Sequence, residues 1–358
     1  MKIYKIIGLM SGTSLDGLDL AYCHIWEKNG GWLFDIKETK SVKYASEMLN
    51  TLKNTISLSP EKLIELHNTY GTWLGEQTAV FINEHTLEVD YIASHGHTTH
   101  HRPEMGLTFQ VGSGQHIANA TGIKVIADFR TNDLALGGQG APLVPIGDRL
   151  FFSEYDFCLN LGGISNISFE VKNKRIAYDI GLANMILNYI TRKVDLEYDE
   201  DGKFARAGSI NTAMFNQLNN LEYYTLPHPK SVGYEWFLAK VVPIIEDTDD
   251  SIENLLHTSV HHICEKITQQ IQLNFINKNQ QLLITGGGAL NSFLIETLEQ
   301  KLGSTTKVVV PAKIIIEFKE ALIFALMGVL RVKQLTNVLS SVTGAKKDST
   351  SGVLFIPN

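Results

Sequence analysis

The residues best placed for chemistry open the chain. A short apolar run through Ile3, Ile6 and Ile7 reads as a buried strand and leads into Gly8, then Ser11-Gly12-Thr13-Ser14, with a second strand-like run over residues 18–26 directly behind. Strand, small-residue turn and strand can present backbone N–H groups and hydroxyls to a phosphate without an intervening helix. Gly12 and Gly17 are able to take positive φ and let a ligand approach the backbone, and Asp16 and Asp19 supply carboxylates suited to a hydrated magnesium ion. The spacing matches neither a Walker loop nor a dinucleotide fingerprint. From the residues alone, a phosphate-binding hairpin and an ordinary Gly/Ser/Asp turn both stay open.

Two more glycine turns follow predicted strands, Gly162-Gly163 after residues 157–161 and Gly286-Gly287-Gly288 after residues 281–284. Backbone amides at such turns, with magnesium, supply the positioning and charge neutralisation that phosphoryl transfer needs; each glycine could equally close a β-turn. Asp179 ends a predicted strand in Ala177-Tyr178-Asp179-Ile180-Gly181-Leu182-Ala183-Asn184. There it suits a general base, or a carboxylate paired with the dipole of the next helix. His95-Gly96-His97-Thr98-Thr99-His100-His101 holds four histidines in seven residues, but lacks a helical HExxH pattern or a nearby cysteine pair. A loop that hydrogen-bonds substrate is the preferred reading there, and no metal ligand is assigned. Asp128 and Arg130 end another strand, where Arg130 suits a bidentate carboxylate clamp or an ion pair.

The elements that must position these groups follow a repeated plan. Residues 1–26 and 32–44 give three strands joined by tight turns, with Asn29-Gly30-Gly31 as a hairpin signal, and helices are expected over 46–57 and 61–85. Short strands are expected at 90–94 and 123–127, a helix at 112–121, and Gly137-Gly138-Gln139-Gly140-Ala141-Pro142 as a hinge or substrate loop. From Tyr155 the plan restarts, with strands at 157–161, 164–171 and 175–180 and a helix at 183–192. A strand at 281–284, a helix at 291–302, a strand at 307–310, an apolar helix at 317–333 and a terminal Gly/Ser loop with a short strand complete it. Three strands followed by helices thus occur twice, a repeat of architecture rather than of residues.

At 358 residues the chain is long for one core, and two domains are expected. A hydrophobic fraction of 44% and a charged fraction of 19% describe a globular protein, and a formal charge of −7 argues against nucleic acid. No run approaches the roughly 18 apolar residues that span a bilayer, and no signal-peptide pattern opens the chain. Cys23, Cys158 and Cys264 have no paired spacing, which suits a reducing cytoplasm.

Taken together, GLMSGTSLDGLD at 8–19, ADFRTNDLALGGQGAPLVP at 127–145, NLGGISNIS at 160–168, HPKSVGYEWF at 228–237, TGGGALN at 285–291, EALIFALMG at 320–328 and SSVTGA at 340–345 resemble the anhydro-N-acetylmuramic acid kinase family. The resemblance implies an α/β, two-domain actin-like (ribonuclease H-like) ATPase fold with a central nucleotide cleft. The expected domains are residues 1–145 and 146–358, with the last helices free to pack back on the first. It implies ATP and Mg2+ as cofactors, with Gly12, Thr13, Ser14, Leu15, Asp16, Gly17, Leu18 and Asp19 matching the ATP-binding segment. In an actin-like kinase the Gly12 and Gly162-Gly163 turns would serve the nucleotide phosphates, and Gly286, Gly287 and Gly288 the adenosine side. It implies a reaction in which water attacks the anomeric carbon of 1,6-anhydro-N-acetylmuramic acid while O6 takes the γ-phosphoryl group. Asp179 matches the family's catalytic base; His97, Arg130 and Asn184 are expected near the sugar. A cytoplasmic enzyme with a small amino-sugar substrate, no nucleic-acid or membrane partner and a possible homodimer is expected.

This chain departs from the usual motifs at three places. DTGPGN becomes DIGLAN at 179–184, GQT becomes Gly96-His97-Thr98, and a GDP-like turn becomes Gly112-Ser113-Gly114. These fall where the sugar and attacking water are expected, so a kinase of another sugar or polyol stays open, as does a nucleotide-driven binding ATPase.

Overall fold

The computed structural model describes residues 1–12, 15–274 and 279–358. The chain divides into two compact units, Met1–Phe152 with Phe318–Asn358, and Ser153–Glu317. The boundary read from sequence lay at 145/146; the structure carries the first unit seven residues further and gives it the C-terminal stretch as well. In chain order the first unit's early strands are β1 (Ile3–Met10), β2 (Leu18–Lys28), β3 (Gly31–Val42), β4 (Tyr91–Ser94), β5 (His97–Arg102), β6 (Leu107–Val111) and β7 (Val125–Ala127). The second unit holds β8 (Phe157–Leu161), β9 (Ile164–Val171), β10 (Lys174–Leu182), β11 (Gln280–Thr285) and β12 (Thr306–Val309), and β13 (Val353–Phe355) belongs to the first.

In unit 1 the sheet order is β13-β7-β4-β1-β2-β3. β1, β2 and β3 form an antiparallel meander, β4 joins β1 and β7 joins β4 in parallel, and β13 runs antiparallel along β7. β1 lies inside the sheet and is buried nearly end to end, whereas edge strand β3 alternates in exposure, as the pleat requires. Leu9, Leu18, Leu20, Tyr70, Leu74, Phe81, Ile92 and Val125 meet in its core. The helix Pro60–His85 starts on Ser59, whose hydroxyl accepts from Lys62 N, with Pro60 in the first turn, and ends on Thr86 at φ 51°. In the apolar helix Lys313–Val332, Leu322, Ile323, Ala325, Leu326, Met327 and Val329 are fully buried, so this stretch is core.

Unit 2 has the order β10-β9-β8-β11-β12, with β8, β9 and β10 antiparallel and β11 and β12 parallel beside β8. Counting each unit's main strands as first to fifth, both sheets read 3-2-1-4-5, the ribonuclease H-like order. Its core gathers Phe157, Leu159, Phe169, Ile180, Leu182, Ile186, Ile263 and Ile284.

The histidine-rich stretch is strand rather than loop: β5 pairs with β6 as a separate hairpin, with a register shift between Thr98 and His100. Several helices between 192 and 280 carry no sequence expectation, above all Ile252–Leu273. Among described residues, no helix is long and apolar enough to cross a membrane.

Candidate active site

In unit 1 the glycine segment leaves β1 at Ser11 and re-enters the sheet at Leu18. The Gly12 carbonyl accepts from Leu15 N at 3.2 Å and from the His97 imidazole. Thr13 and Ser14 lie outside the described residues. Leu15 takes φ 62° and Asp16 is exposed. Gly17 has φ 149°, and a Cβ there would stand 2.4 Å from the Val42 carbonyl oxygen, so only glycine fits. Leu18 is fully buried and serves packing. Asp19, on β2, pairs in register with Met10 and Ser41, and its carboxylate accepts from Ser41 Oγ at 2.5 Å.

Among the described residues, Arg130 is held by a histidine. Its Nε and Nη2 both point at His95 Nε2, at 3.1 and 2.9 Å, while His95 Nδ1–H donates to the Gly96 carbonyl at 2.8 Å. This fixes a neutral imidazole of one tautomer. Burial, then the Arg130 charge, holds His95 far below the usual histidine range. Burial also lowers Arg130 to about 10, with Glu320 acting against it. The Glu320 side chain keeps contact with solvent, yet the protein crowded around its carboxyl raises it above the ordinary range. Lys319 and Arg130 lower it, and Asp19 raises it further. Sequence reasoning missed Glu320 as a site group and named His95 only as part of the histidine-rich stretch. Both lie inside quoted motifs, but nothing in their spacing separates them from their neighbours. His97, expected near the sugar, stands against the Gly12 turn, and burial lowers its basicity.

The GGQGAP loop has its own anchor. Asp133, fully buried, accepts from Gly140 N at 2.8 Å and from Thr343 Oγ1 at 2.7 Å, and Gln139 N donates to the Thr343 carbonyl at 2.9 Å. Two motifs two hundred residues apart thus form one clasp.

In unit 2, β10 runs on to Leu182, so Asp179 lies inside the strand and not at its end, and a bulge between Asp179 and Gly181 leaves Ile180 without a cross-strand partner just beyond it. A strap from 228–237 runs alongside. Lys230 O accepts from Asp179 N at 3.1 Å, Val232 N donates to Asp179 Oδ2 at 3.1 Å, and Tyr223 Oη donates to the Asp179 carbonyl at 2.8 Å. Asn160 on β8, Asn166 on β9 and Asp179 on β10 are direct cross-strand partners, so they share one face of the sheet. Burial raises the Asp179 carboxyl, and hydrogen bonds from Val232 and Asn166 oppose it.

The helix-dipole reading of Asp179 has a competitor in the structure. Asn184 N and Met185 N, at the start of the helix Asn184–Arg192, donate to the carbonyls of Gly162 and Gly163, each at 3.0 Å. The second glycine turn therefore caps this helix. Asn184 Nδ2 donates to the Leu161 carbonyl at 3.0 Å. Gly286, at φ 82°, packs on Asn160 and Leu161, and a Cβ on Gly288 would stand 2.7 Å from Leu161 Cβ and 3.1 Å from Asn184 Oδ1. Gly162, Gly163, Asn184 and Gly286, Gly287 and Gly288 are thus one cluster, with Asn184 seated between the two turns. Ile180, Leu182 and Ala183, where the chain departs from the usual motif, are all buried in the unit's core. Among described residues no group of three or more His, Cys, Asp or Glu side chains could hold a metal ion.

The two ribonuclease H-like sheets, one in each unit, define the actin-like ATPase fold. The family model for anhydro-N-acetylmuramic acid kinase matches residues 4–357. The anhydro-N-acetylmuramic acid kinase of Aliivibrio fischeri is 35% identical, with 99% of this chain and 100% of that one covered. That of Vibrio cholerae is 32% identical over 98% of each. Among solved structures, the activator of 2-hydroxyisocaproyl-CoA dehydratase from Clostridium difficile is similar with a TM-score of 0.44 and 13% identity, over 90% of this chain and 92% of that one. The chain belongs to the anhydro-N-acetylmuramic acid kinase family and is a sugar kinase.

Proposed function

We propose that the protein opens 1,6-anhydro-N-acetylmuramic acid with water and phosphorylates its O6 from ATP, giving N-acetylmuramic acid 6-phosphate and ADP for the recycling of cell-wall sugars. The setting of Asp179 carries this reading. Its carboxyl is half-buried, raised by that burial, and held through Oδ2 by Val232, so it is oriented and basic enough to take a proton from water. Water oxygen bonds to the anomeric carbon, the bond from that carbon to O6 breaks, and O6 receives the γ-phosphoryl group as its bond to ADP breaks. Asp179 takes one water proton and returns it to solvent.

In unit 1 the Gly12–Asp19 segment, with Thr13 and Ser14 part of that assignment, is assigned to nucleotide phosphate; in unit 2, taken by itself, the Gly162-Gly163 and Gly286–Gly288 turns form a cluster suited to a nucleotide. Arg130 offers the guanidinium edge not used by His95 to an anionic group of the substrate. Asn184 sets the unit 2 turns, and His97 the first. Asp19 and the exposed Asp16 fit magnesium, which takes one or two carboxylates alongside phosphate oxygens and water. When bound there, the ion would neutralise charge on the phosphates. The departures from DTGPGN are buried core residues, which favours the family's sugar over another.

The test is ADP release with magnesium-ATP and either the anhydro amino sugar, the ring-opened N-acetylmuramic acid, other anhydro sugars, or no acceptor. Release stimulated by the anhydro amino sugar above the rest is expected. Equal rates with ring-opened sugars would point to an ordinary sugar kinase, and release needing no sugar to a binding ATPase.

A further inference from the structure

Three hydroxyl groups from separate elements of unit 1 meet beside the glycine segment. Ser11 Oγ, just after β1, lies 2.7 Å from Tyr44 Oη and 2.7 Å from Tyr70 Oη, and the two phenols are 2.9 Å apart. Tyr44 follows β3, and Tyr70 lies within the helix Pro60–His85. Tyr44 Oη also donates to the Gly17 carbonyl at 3.0 Å. From β5, His97 brings Nδ1 to 3.4 Å from Ser11 Oγ and donates to the Gly12 carbonyl.

Counting protons gives this cluster a direction. A phenol carries one proton, and that of Tyr44 goes to Gly17. Toward Ser11 and Tyr70, then, Tyr44 accepts. Ser11 and Tyr70 supply one proton each to the remaining contacts, so every hydroxyl is used and the chain ends through Tyr44 on the carbonyl near the segment's exit. Burial raises both phenols above their ordinary range, so neither loses its proton at working pH. The rings are fixed as well: Trp73 stacks on Tyr70 at 5.6 Å between centroids and tilts against Tyr44 at 5.5 Å.

We propose that Ser11, Tyr44 and Tyr70 position the two ends of the nucleotide-phosphate segment, tying Ser11 at its entrance to the Gly17 carbonyl near its exit so that Gly12 and Gly17 are held in place before a nucleotide arrives. Binding an anion with backbone amides depends on their being aimed beforehand, because the ordering cost otherwise falls on binding. The inference rests on reading residues 12–19 as part of the ATP site. None of the three residues need touch the nucleotide, which makes them positioning residues.

Steady-state kinetics with ATP and sugar varied separately, and calorimetric titration of magnesium-ADP into the full-length protein, test this on Tyr44→Phe, Tyr70→Phe and Ser11→Ala. Tyr44→Phe keeps the ring and its packing but loses the bond to Gly17. It should raise KM for ATP and Kd for magnesium-ADP about fivefold to twentyfold, the worth of one or two net hydrogen bonds, and leave KM for the sugar within about twofold. Tyr70→Phe should cost less, because Ser11 is left to donate to Tyr44. Ser11→Ala, which disturbs no aromatic packing, decides the matter if Tyr44→Phe does not fold. A wild-type protein that fails to bind magnesium-ADP overturns the nucleotide reading itself. A wild-type protein that binds it, with Tyr44→Phe binding as tightly, overturns the hydroxyl chain. Equal rises in both KM values would mark general loosening and overturn it too.

Discussion

Replacing Asp179 by asparagine removes the proposed base while leaving an oxygen for the Val232 amide to bond. A positioned general base contributes about 10²- to 10⁴-fold, so turnover should fall by that factor, equivalent to about 3–5 kcal/mol of barrier. Stability should move the other way. Burial raises this carboxyl, so the folded chain holds the proton more tightly than the unfolded chain does. The resulting stabilisation is fully present below the unfolded value of 3.8 and is lost as pH rises through the raised folded value. Asparagine carries no charge at any pH and escapes that loss. At neutral pH Asp179→Asn should therefore unfold at a temperature no lower than the parent, with any advantage shrinking toward pH 4. ADP release and thermal unfolding at the two pH values read both effects. Turnover above about a tenth of the parent's, or a destabilisation at pH 7 that persists at pH 4, would refute the reasoning.

Asp133→Ala strips buried acceptors from Gly140 N and Thr343 Oγ1 and should cost about 2–4 kcal/mol in denaturant unfolding; a loss within error would mean the clasp is not needed. His95→Leu leaves two Arg130 donors without their acceptor. It should raise KM for the sugar about tenfold, with KM for ATP little changed, as initial-rate measurements would show. His262, fully enclosed between Tyr224 Oη and Asn219 Oδ1, is lowered by burial to about 3 from the usual 6.5. It must charge on unfolding, so stability is held above about pH 6.5 and falls between there and about 3; His262→Gln should flatten that fall in acid-unfolding curves.

Much of the sheet was legible because inner strands carry continuous apolar runs bounded by glycine. Both Phe157–Leu161 and Ile164–Val171 have the bounds their sequence suggests. β5 was not legible, since HTTHHR has no apolar alternation and its pairing depends on the distant LTFQV strand. The helix Ile252–Leu273 was hidden for a related reason. It buries Thr258, Ser259, His262, Lys266 and Thr268 among its apolar residues, which blurs the period that sequence reading relies on. The site divides in the same way. Turn glycines and Asp179 announce themselves by type and spacing. The support given by His95, Tyr44, Tyr70 and the Val232 strap comes from contacts between residues far apart in sequence, which no local pattern encodes.

The central claim is that solvent goes to the sugar carbon and phosphorus to the released oxygen. Mass spectrometry of products formed from ATP, magnesium and 1,6-anhydro-N-acetylmuramic acid in oxygen-18 water, quenched ahead of spontaneous anomeric exchange, tests it most directly. The account predicts one heavy oxygen on the anomeric carbon and a phosphate on O6 that carries none. Heavy oxygen in free phosphate, with the anhydro ring intact, would contradict it.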